Sequence, residues 1–324
     1  MISLGATVVV LRSVDFGQTA AVLSHTRLLL LGPCIALVGA GVVLRALRWQ
    51  RLLPAVDRRV PVRRITPVLL IGYLGNTVLP ARLGEPIRAY LLARREGLSS
   101  FEVLGTALIE RIVDVAILAV MAFVAAIAVD APPWVVQLTG VAAGGAVLIV
   151  IAMTLVGLGP AVRFLDRLAA DIHPPLAKAI LSRLDRFAHG FGGRSQRVPV
   201  AQAAALTVPI WLIDTSICWL AGLSLGSDLS PGSALLIVAV GALGTSVPSA
   251  PGYIGTYELA ASAAARAVGL AAPAALSLAI VLHVITLLPV ALAGGIAALA
   301  LGSGSLFRLA EAATGTREGK EGER

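Results

Sequence analysis

Residues 267–307, AVGLAAPAALSLAIVLHVITLLPVALAGGIAALALGSGSLF, run for 41 positions without a Lys, Arg, Asp or Glu, and His283 is their single titratable side chain. A membrane-spanning helix needs about 20 predominantly apolar residues, so this stretch is long enough to cross a bilayer. Residues 131–162 and 229–257 are likewise free of charge. The 324-residue chain around them is 57% hydrophobic and 14% charged, where a soluble domain carries about 25% charged residues. Too little polar sequence remains to cover soluble domains of this length. Closely spaced strands with alternating polarity are absent, which disfavours an outer-membrane barrel. The fold class that follows is an all-α polytopic membrane protein with about six crossings.

The net charge is +8, and its distribution says more than its size. Of the 26 Lys and Arg, 21 fall within residues 45–64, 88–95, 163–197 and 308–324. A positive-inside bias places those segments in the cytoplasm. The basicity is therefore topology rather than a nucleic-acid footprint, with anionic lipid headgroups as a second use. Arg outnumbers Lys 24 to 2, which together with abundant Ala points to a GC-rich bacterial genome and so to a bacterial cytoplasmic (inner) membrane. The N-terminus has no basic n-region and no small-residue cleavage site, so no signal peptide is expected, and both termini are expected in the cytoplasm. Cys34 and Cys218 sit in apolar segments and read as small buried hydrophobes, not as a disulfide or metal pair.

Along the chain, residues 1–301 read as one transmembrane domain and 302–324 as a charged, flexible tail. Residues 1–11 are apolar but too short to span, and 13–27 suit a helix on the membrane surface. Residues 28–49 span and end in Arg45-Ala46-Leu47-Arg48-Trp49, the pattern of snorkelling arginines and an aromatic anchor. Residues 65–79 are apolar but short, and Pro80-Ala81-Arg82-Leu83-Gly84-Glu85-Pro86 interrupts them. Residues 65–95 are thus expected to form a re-entrant hairpin. Spans at 101–129 and 134–158 follow, joined at Pro132-Pro133. The basic segment 159–199 is a cytoplasmic loop with room for surface helices but not for a separate catalytic domain. Residues 200–223 span again, 232–268 form a second interrupted hairpin, and 274–301 make the last crossing.

The two interrupted segments look alike. Pro80-x3-Gly84 recurs as Pro251-x3-Gly255, Gly97-Leu98 as Gly269-Leu270, and in that register Arg111 meets His283. Each half, about 28–129 and 200–301 with 130–199 between them, reads span, broken hairpin, span. Three crossings separate corresponding helices, and an odd offset makes the halves inverted. Inverted repeats with broken helices near the midplane build many secondary transporters.

Backbone broken inside a membrane is tolerated only within protein or beside water, which makes residues 75–88 the first candidate site. Pro86 suits the first turn of a new helix, whose free N–H groups and positive dipole end attract anions. Asn76, Arg82 and Arg88 are therefore candidate substrate contacts, with Glu85 balancing charge. Arg82, Glu85 and Arg88 share a helical face, so simple pairing with Glu85, or snorkelling, stands as the alternative. Glu110, Arg111 and Asp114 lie about ten residues into a span, where charges are costly and usually face a cavity or each other. Glu110 and Asp114 repel unless a cation, a proton or Arg answers them. Arg111 with Asp114 is the expected internal pair, leaving Glu110 for Arg82 or a proton; a purely structural ion cluster is the alternative. In the second break, residues 246–258, Tyr253 and Tyr257 are neutral donors. Glu258 there is a partner for the first-half arginines, a proton carrier or an interfacial residue. Asp214 divides between structural and functional roles, and His283 reads as a hydrogen-bonded packing residue. The sequence offers no metal-ligand cluster, nucleotide loop or nucleophile elbow, so no metal, cofactor or ATP-driven step is expected.

Four motifs in order, Arg45-x2-Arg48-Trp49, Asn76-x3-Pro80-x-Arg82-x-Gly84-Glu85-x2-Arg88, Glu110-Arg111-x2-Asp114 and Pro248-x2-Pro251-Gly252-x2-Gly255-x2-Glu258, resemble the lysylphosphatidylglycerol synthase transmembrane family over nearly the whole chain. The resemblance implies a flippase-like bacterial membrane domain. In bifunctional relatives that domain is thought to move an aminoacylated phospholipid beside a soluble aminoacyl-transfer domain, which is not expected within these 324 residues. It marks Arg82, Glu85, Arg88, Glu110, Arg111, Asp114 and Glu258 as positions to watch without assigning their roles. The expected function is a lipid translocase, not an enzyme, moving an anionic phospholipid or lipid-linked headgroup between leaflets. In it Arg82 and Arg111 hold phosphate, Arg88 guides entry, and Glu85, Glu110, Asp114 and Glu258 exchange partners or protons. A scaffold for a lipid-modifying enzyme and an integral-membrane transferase are the alternatives, and a lipid-synthesis enzyme or a second copy are possible protein partners.

Overall fold

The computed structural model describes residues 16–53, 60–156, 197–246 and 250–302. Ten α-helices carry them: α1 Phe16–Ser24, α2 Gly32–Leu52, α3 Val62–Val78, α4 Gly84–Glu96, α5 Ser100–Ala128, α6 Pro133–Val156, α7 Arg197–Ser224, α8 Pro231–Gly244, α9 Thr256–Ala267 and α10 Ala272–Ala300. Short 3-10 turns at Leu28–Leu31, Pro80–Arg82 and Pro251–Tyr253 complete the described elements. Stretches Leu28–Leu52, Ser100–Ala128, Pro133–Ala152, Val200–Ser224 and Ala272–Ala300 are long and apolar enough to cross a membrane. The protein is a multi-pass, all-α membrane protein. Residues 1–11, apolar but expected to be too short to span, lie outside the described residues, as do most of the 159–199 loop and the tail beyond 302.

Proline and glycine set the helix limits. Proline opens α2, α8 and α10 in their first turns, where its missing N–H costs nothing. Gly97 closes α4 in the left-handed conformation (φ 70°), and the Leu98 N–H bonds back to the Ala93 carbonyl at 2.9 Å. Both expected interruptions are present: α3 and α8 stop, a proline-led 3-10 turn follows, and α4 and α9 start afresh. The limb α3 lies so close to α4 that a Cβ on Gly84 would come within 1.8 Å of the Gly72 carbonyl oxygen.

The principal helix pairs follow one rule. Helix α2 packs along α7; α3 packs on α10 as α8 packs on α5. The α3–α4, α4–α5 and α2–α3 contacts have counterparts in α8–α9, α9–α10 and α7–α8. Likewise α5–α6 matches α10–α1, α2–α5 matches α7–α10, and α5–α7 matches α10–α2. Exchanging α1–α5 for α6–α10 leaves the set unchanged. The matched sets extend beyond the expected halves at 28–129 and 200–301, because α1 and α6 belong to them. Rather than lying free on a surface, α1 packs against α10, with Thr19 buried.

Two apolar clusters hold the bundle. One joins Cys34, Ile217, Cys218, Ile237, Leu278 and Leu282; the other joins Trp49, Ile65, Leu69 and Leu92. Both cysteines are free thiols buried in the first cluster, as small hydrophobes would be. Trp49 is completely buried and donates its indole N–H to Thr106 Oγ1 at 3.1 Å. It is a core residue, not the interfacial anchor its place at a helix end suggested. Leu288, Leu292, Ile296 and Leu299 along α10 stay exposed, the side a hydrocarbon phase would cover.

Candidate functional site

A cavity of about 280 Å³ lies between the halves, with Arg45 and Arg48 of α2, Glu110 of α5, Asp214 of α7 and His283 of α10 in its wall. Arg48 is its hub and is 2% exposed. Its Nη1 donates to Asp114 Oδ1 at 2.5 Å and to Thr207 Oγ1 at 2.9 Å. Its Nη2 donates to Glu110 Oε1 at 2.6 Å and Asp114 Oδ2 at 3.0 Å. Charge-assisted, two-pronged bonds of this kind are what let an arginine stay charged at depth. Arg88 holds the other oxygen of Glu110, Nη2 to Oε2 at 2.7 Å, with its guanidinium 4.6 Å from the Trp49 ring centre. Arg45 pairs with Asp214 at 2.5 Å, and Trp211 adds an indole N–H to Asp114 Oδ1 at 3.2 Å.

These pairings correct several expectations. Arg45 and Arg48 do not snorkel, because the carboxylates of α5 and α7 face them inside the bundle. Asp114 pairs with Arg48, not with Arg111 on its own helix; Arg111 reaches instead to Glu85 Oε1 of α4 at 2.6 Å. Glu110 takes Arg48 and Arg88 in place of Arg82. Among the described residues Glu258 pairs with no first-half arginine. Its Oε1 bonds to His283 Nδ1 and its Oε2 accepts the Gly255 N–H at 2.7 Å, because α9 packs directly on α10. His283 is hydrogen-bonded, as a packing histidine would be.

The two breaks meet beside the cavity. Arg82 donates to the carbonyl of Thr245, the residue that caps the C-terminus of α8, and to its Oγ1 at 3.3 Å. Glu85 is 3.6 Å away. The start of α4, expected to offer free N–H groups, has one of them filled: Asn76 Oδ1 accepts the Gly84 N–H at 3.0 Å. Asn76, Arg88, Arg111 and Tyr253 all contribute to the cavity wall. Among the described residues, four buried guanidinium nitrogens, Arg48 Nε, Arg82 Nε, Arg88 Nε and Arg88 Nη1, have no hydrogen-bond partner, so donors remain beyond those the carboxylates use. Among the described residues no group of His, Cys, Asp and Glu is arranged to hold a metal.

The model of the lysylphosphatidylglycerol synthase transmembrane region matches residues 1–294. The chain belongs to this family. Two relatives place the family member more widely. A protein named glycosyltransferase AglD from Haloferax volcanii is 24% identical over 289 residues, 79% of this chain but 46% of that protein. A UPF0104 membrane protein from Methanothermobacter thermautotrophicus is 24% identical over 270 residues, 75% of each chain. The match thus spans less than half of the Haloferax relative and three quarters of the Methanothermobacter one.

Sequence reasoning named Glu110, Arg111 and Asp114 but missed Arg45, Arg48, Thr207 and Trp211 as their neighbours. One signal was available. Two carboxylates on one face of a span require more cation than a single adjacent Arg111 supplies, and Arg45-x2-Arg48 is the other basic pair attached to a long apolar run.

Proposed function

We propose that this family member is a lipid translocase that moves an anionic phospholipid or lipid-linked headgroup between leaflets of the bacterial cytoplasmic membrane. The observation that carries the proposal is the cavity: two broken hairpins meet at it, and buried arginines with spare donors line it. A volume of about 280 Å³ suits a headgroup rather than its acyl chains, being just below the range of about 300–1,000 Å³ of small-ligand sites. In this reading α1–α5 and α6–α10 are inverted halves, and the α3–α4 and α8–α9 hairpins are re-entrant. Alternating access then rocks one half against the other around a fixed site. The arginine pairs would open to admit phosphate, with Arg88 offering the donors left over and Glu85, Glu110 and Asp114 taking back their partners on release. No catalytic step is part of the proposal, and both termini are assigned to the cytoplasm.

Reconstitution tests it. Vesicles of phosphatidylcholine with labelled phosphatidylglycerol are expected to exchange label between leaflets faster with the wild type than without protein. Arg88→Gln, checked for an unchanged elution profile, is expected to remove that acceleration. Wild-type rates in Arg88→Gln and Arg111→Gln alike would sink the proposal. The 46% coverage of the Haloferax relative favours one second reading, a membrane module that positions a lipid-modifying enzyme. There the same variants support the pathway, and the basic segment 159–199 is needed instead.

A further inference from the structure

Glu85 on α4 and Glu258 on α9 stand in the first turn of the second limb of each hairpin. Each bonds to a nitrogen base on the long helix that follows: Glu85 to Arg111 on α5, Glu258 to His283 on α10. Arg111 and His283 are the residues that coincide when the halves are aligned on Gly97-Leu98 and Gly269-Leu270. The two pairs occupy equivalent places, yet they differ chemically. A guanidinium keeps its proton at all accessible pH, whereas an imidazole gives its proton up within the physiological range.

Charge counting around the cavity gives that difference a consequence. Among the described residues the five guanidiniums of Arg45, Arg48, Arg82, Arg88 and Arg111 are paired with four carboxylates, those of Glu85, Glu110, Asp114 and Asp214. One positive charge is left over. Glu258 cancels it while His283 is neutral; when His283 is protonated, Glu258 is used up locally and the surplus stands. Uncompensated charge is costly in so buried a site, so a protonated His283 and a bound monoanion favour each other.

We propose that the Glu258–His283 pair is a proton site coupled one-for-one to a monoanionic headgroup, such as a phosphodiester, in the central cavity. The inference rests on the translocase reading and deepens it by naming the headgroup charge and the coupled ion. The Nδ1–H of His283 stays on Glu258 Oε1, and the second ring nitrogen takes the added proton from water. Loading carries one proton and one negative charge together, and release returns both. The charged or titratable groups that line the cavity with His283 are Tyr257 from α9, with its ring centre 4.8 Å away, Tyr73 from α3, Tyr253 from the second break, Arg88 from α4, Glu110, Arg111 and Asp114 from α5, and Arg45, Arg48 and Asp214 from α2 and α7. Helix α1, also packed on α10, contributes no Asp, Glu, Lys, Arg, His or Tyr.

Binding of dihexanoyl phosphatidylglycerol to the purified full chain in detergent is the test. With one proton per anion, the wild-type Kd is expected to rise by up to about tenfold per pH unit between about pH 6 and pH 8. The zwitterionic dihexanoyl phosphatidylcholine is expected to show no such slope. His283→Arg, which gives the second half the permanent cation of the first, is expected to bind at every pH with no slope; His283→Gln is expected to bind weakly with no slope. A flat wild-type profile, absence of probe binding at about pH 6, or an unchanged slope in both variants overturns the coupling. If the slope is present but vesicles move no labelled phosphatidylglycerol, the translocase reading falls while the proton–anion site stands.

Discussion

The Arg82 guanidinium lies 5.2 Å from the centre of the Tyr253 ring, and the two residues hold the same place in the two hairpins. Each is the third residue of a proline-led 3-10 turn, Pro80–Arg82 and Pro251–Tyr253. Each has a left-handed backbone, with φ of 57° and 60°, uncommon for residues other than glycine. Strained, equivalent and in contact, they join one break to the other at the point where the halves meet. Stacking of a cation on an aromatic ring contributes about 0.5–2 kcal/mol as the site becomes drier. A thermal-stability cycle of wild type, Arg82→Ala, Tyr253→Leu and the double variant is expected to give a coupling in that range. Additive effects of the two substitutions would show that the contact does not join the breaks.

Arg48 predicts a larger effect. Removing it leaves Glu110 with Arg88 alone and strips Asp114 of its guanidinium. Leaving buried charge uncompensated costs about 3–5 kcal/mol. Arg48→Met is expected to lower the melting temperature in detergent sharply, and Arg48→Met with Asp114→Asn is expected to recover part of the loss. Arg64 is the contrasting case: it is half exposed in its pair with Glu96 at 3.3 Å, and such pairs contribute about 0–1 kcal/mol. A melting point for Arg48→Met as close to wild type as that of Arg64→Ala would rule out the hub assignment.

What could be read in the sequence, and what could not, follows from the range of the interactions. Apolar runs and Pro–Gly breaks are local, so helices appear within a few residues of their expected limits and both interruptions fall where they were placed. The depth of Glu110, Arg111 and Asp114 was equally local, and it pointed to a site. The choice of partners is not local. Arg48 and Asp114 are 66 positions apart, and Arg45 and Asp214 are 169 apart. Both pairs depend on α2 lying against α5 and α7, which no periodicity in α2 announces. Arg48 near a helix end resembles a snorkelling residue until the neighbouring helices are in place. Glu258 was offered to the wrong cations for the same reason: its partner is fixed by α9 lying on α10.

Close packing at the first hairpin gives a sharper test. A Cβ at Gly84 would stand 1.8 Å from the Gly72 carbonyl oxygen and 2.7 Å from Asn76 N and Oδ1, where backbone cannot yield without parting α3 from α4. Gly84→Ala is expected to destabilise the protein by several kcal/mol, beyond the usual range for point changes. Gly144, on α6 with nothing within 4 Å of a built Cβ, is the control. Gly144→Ala is expected to be neutral or to stabilise by about 0.5–1 kcal/mol through helix propensity. Equal melting temperatures for the two variants would contradict the tight α3–α4 approach.

The inverted relation of the halves can be decided by side-specific labelling. If α1–α5 and α6–α10 are oppositely oriented, the turn after the first hairpin and the turn after the second face opposite compartments. Ser99, between α4 and α5, is then cytoplasmic, and Gly269, between α9 and α10, is external. Cys34 and Cys218 are buried, so an impermeant maleimide reads an introduced thiol against a low background. In intact cells Gly269→Cys is expected to label and Ser99→Cys only after permeabilisation. Exposed Asp130, at the α5–α6 turn, fixes the reference, since α5 separates it from Ser99, and Asp130→Cys is expected to label with Gly269→Cys. Labelling of Ser99→Cys and Gly269→Cys from the same side would make the halves parallel. The common packing pattern would then have to arise from an axis along the membrane normal, and a mechanism in which one half rocks against its inverted counterpart would no longer apply.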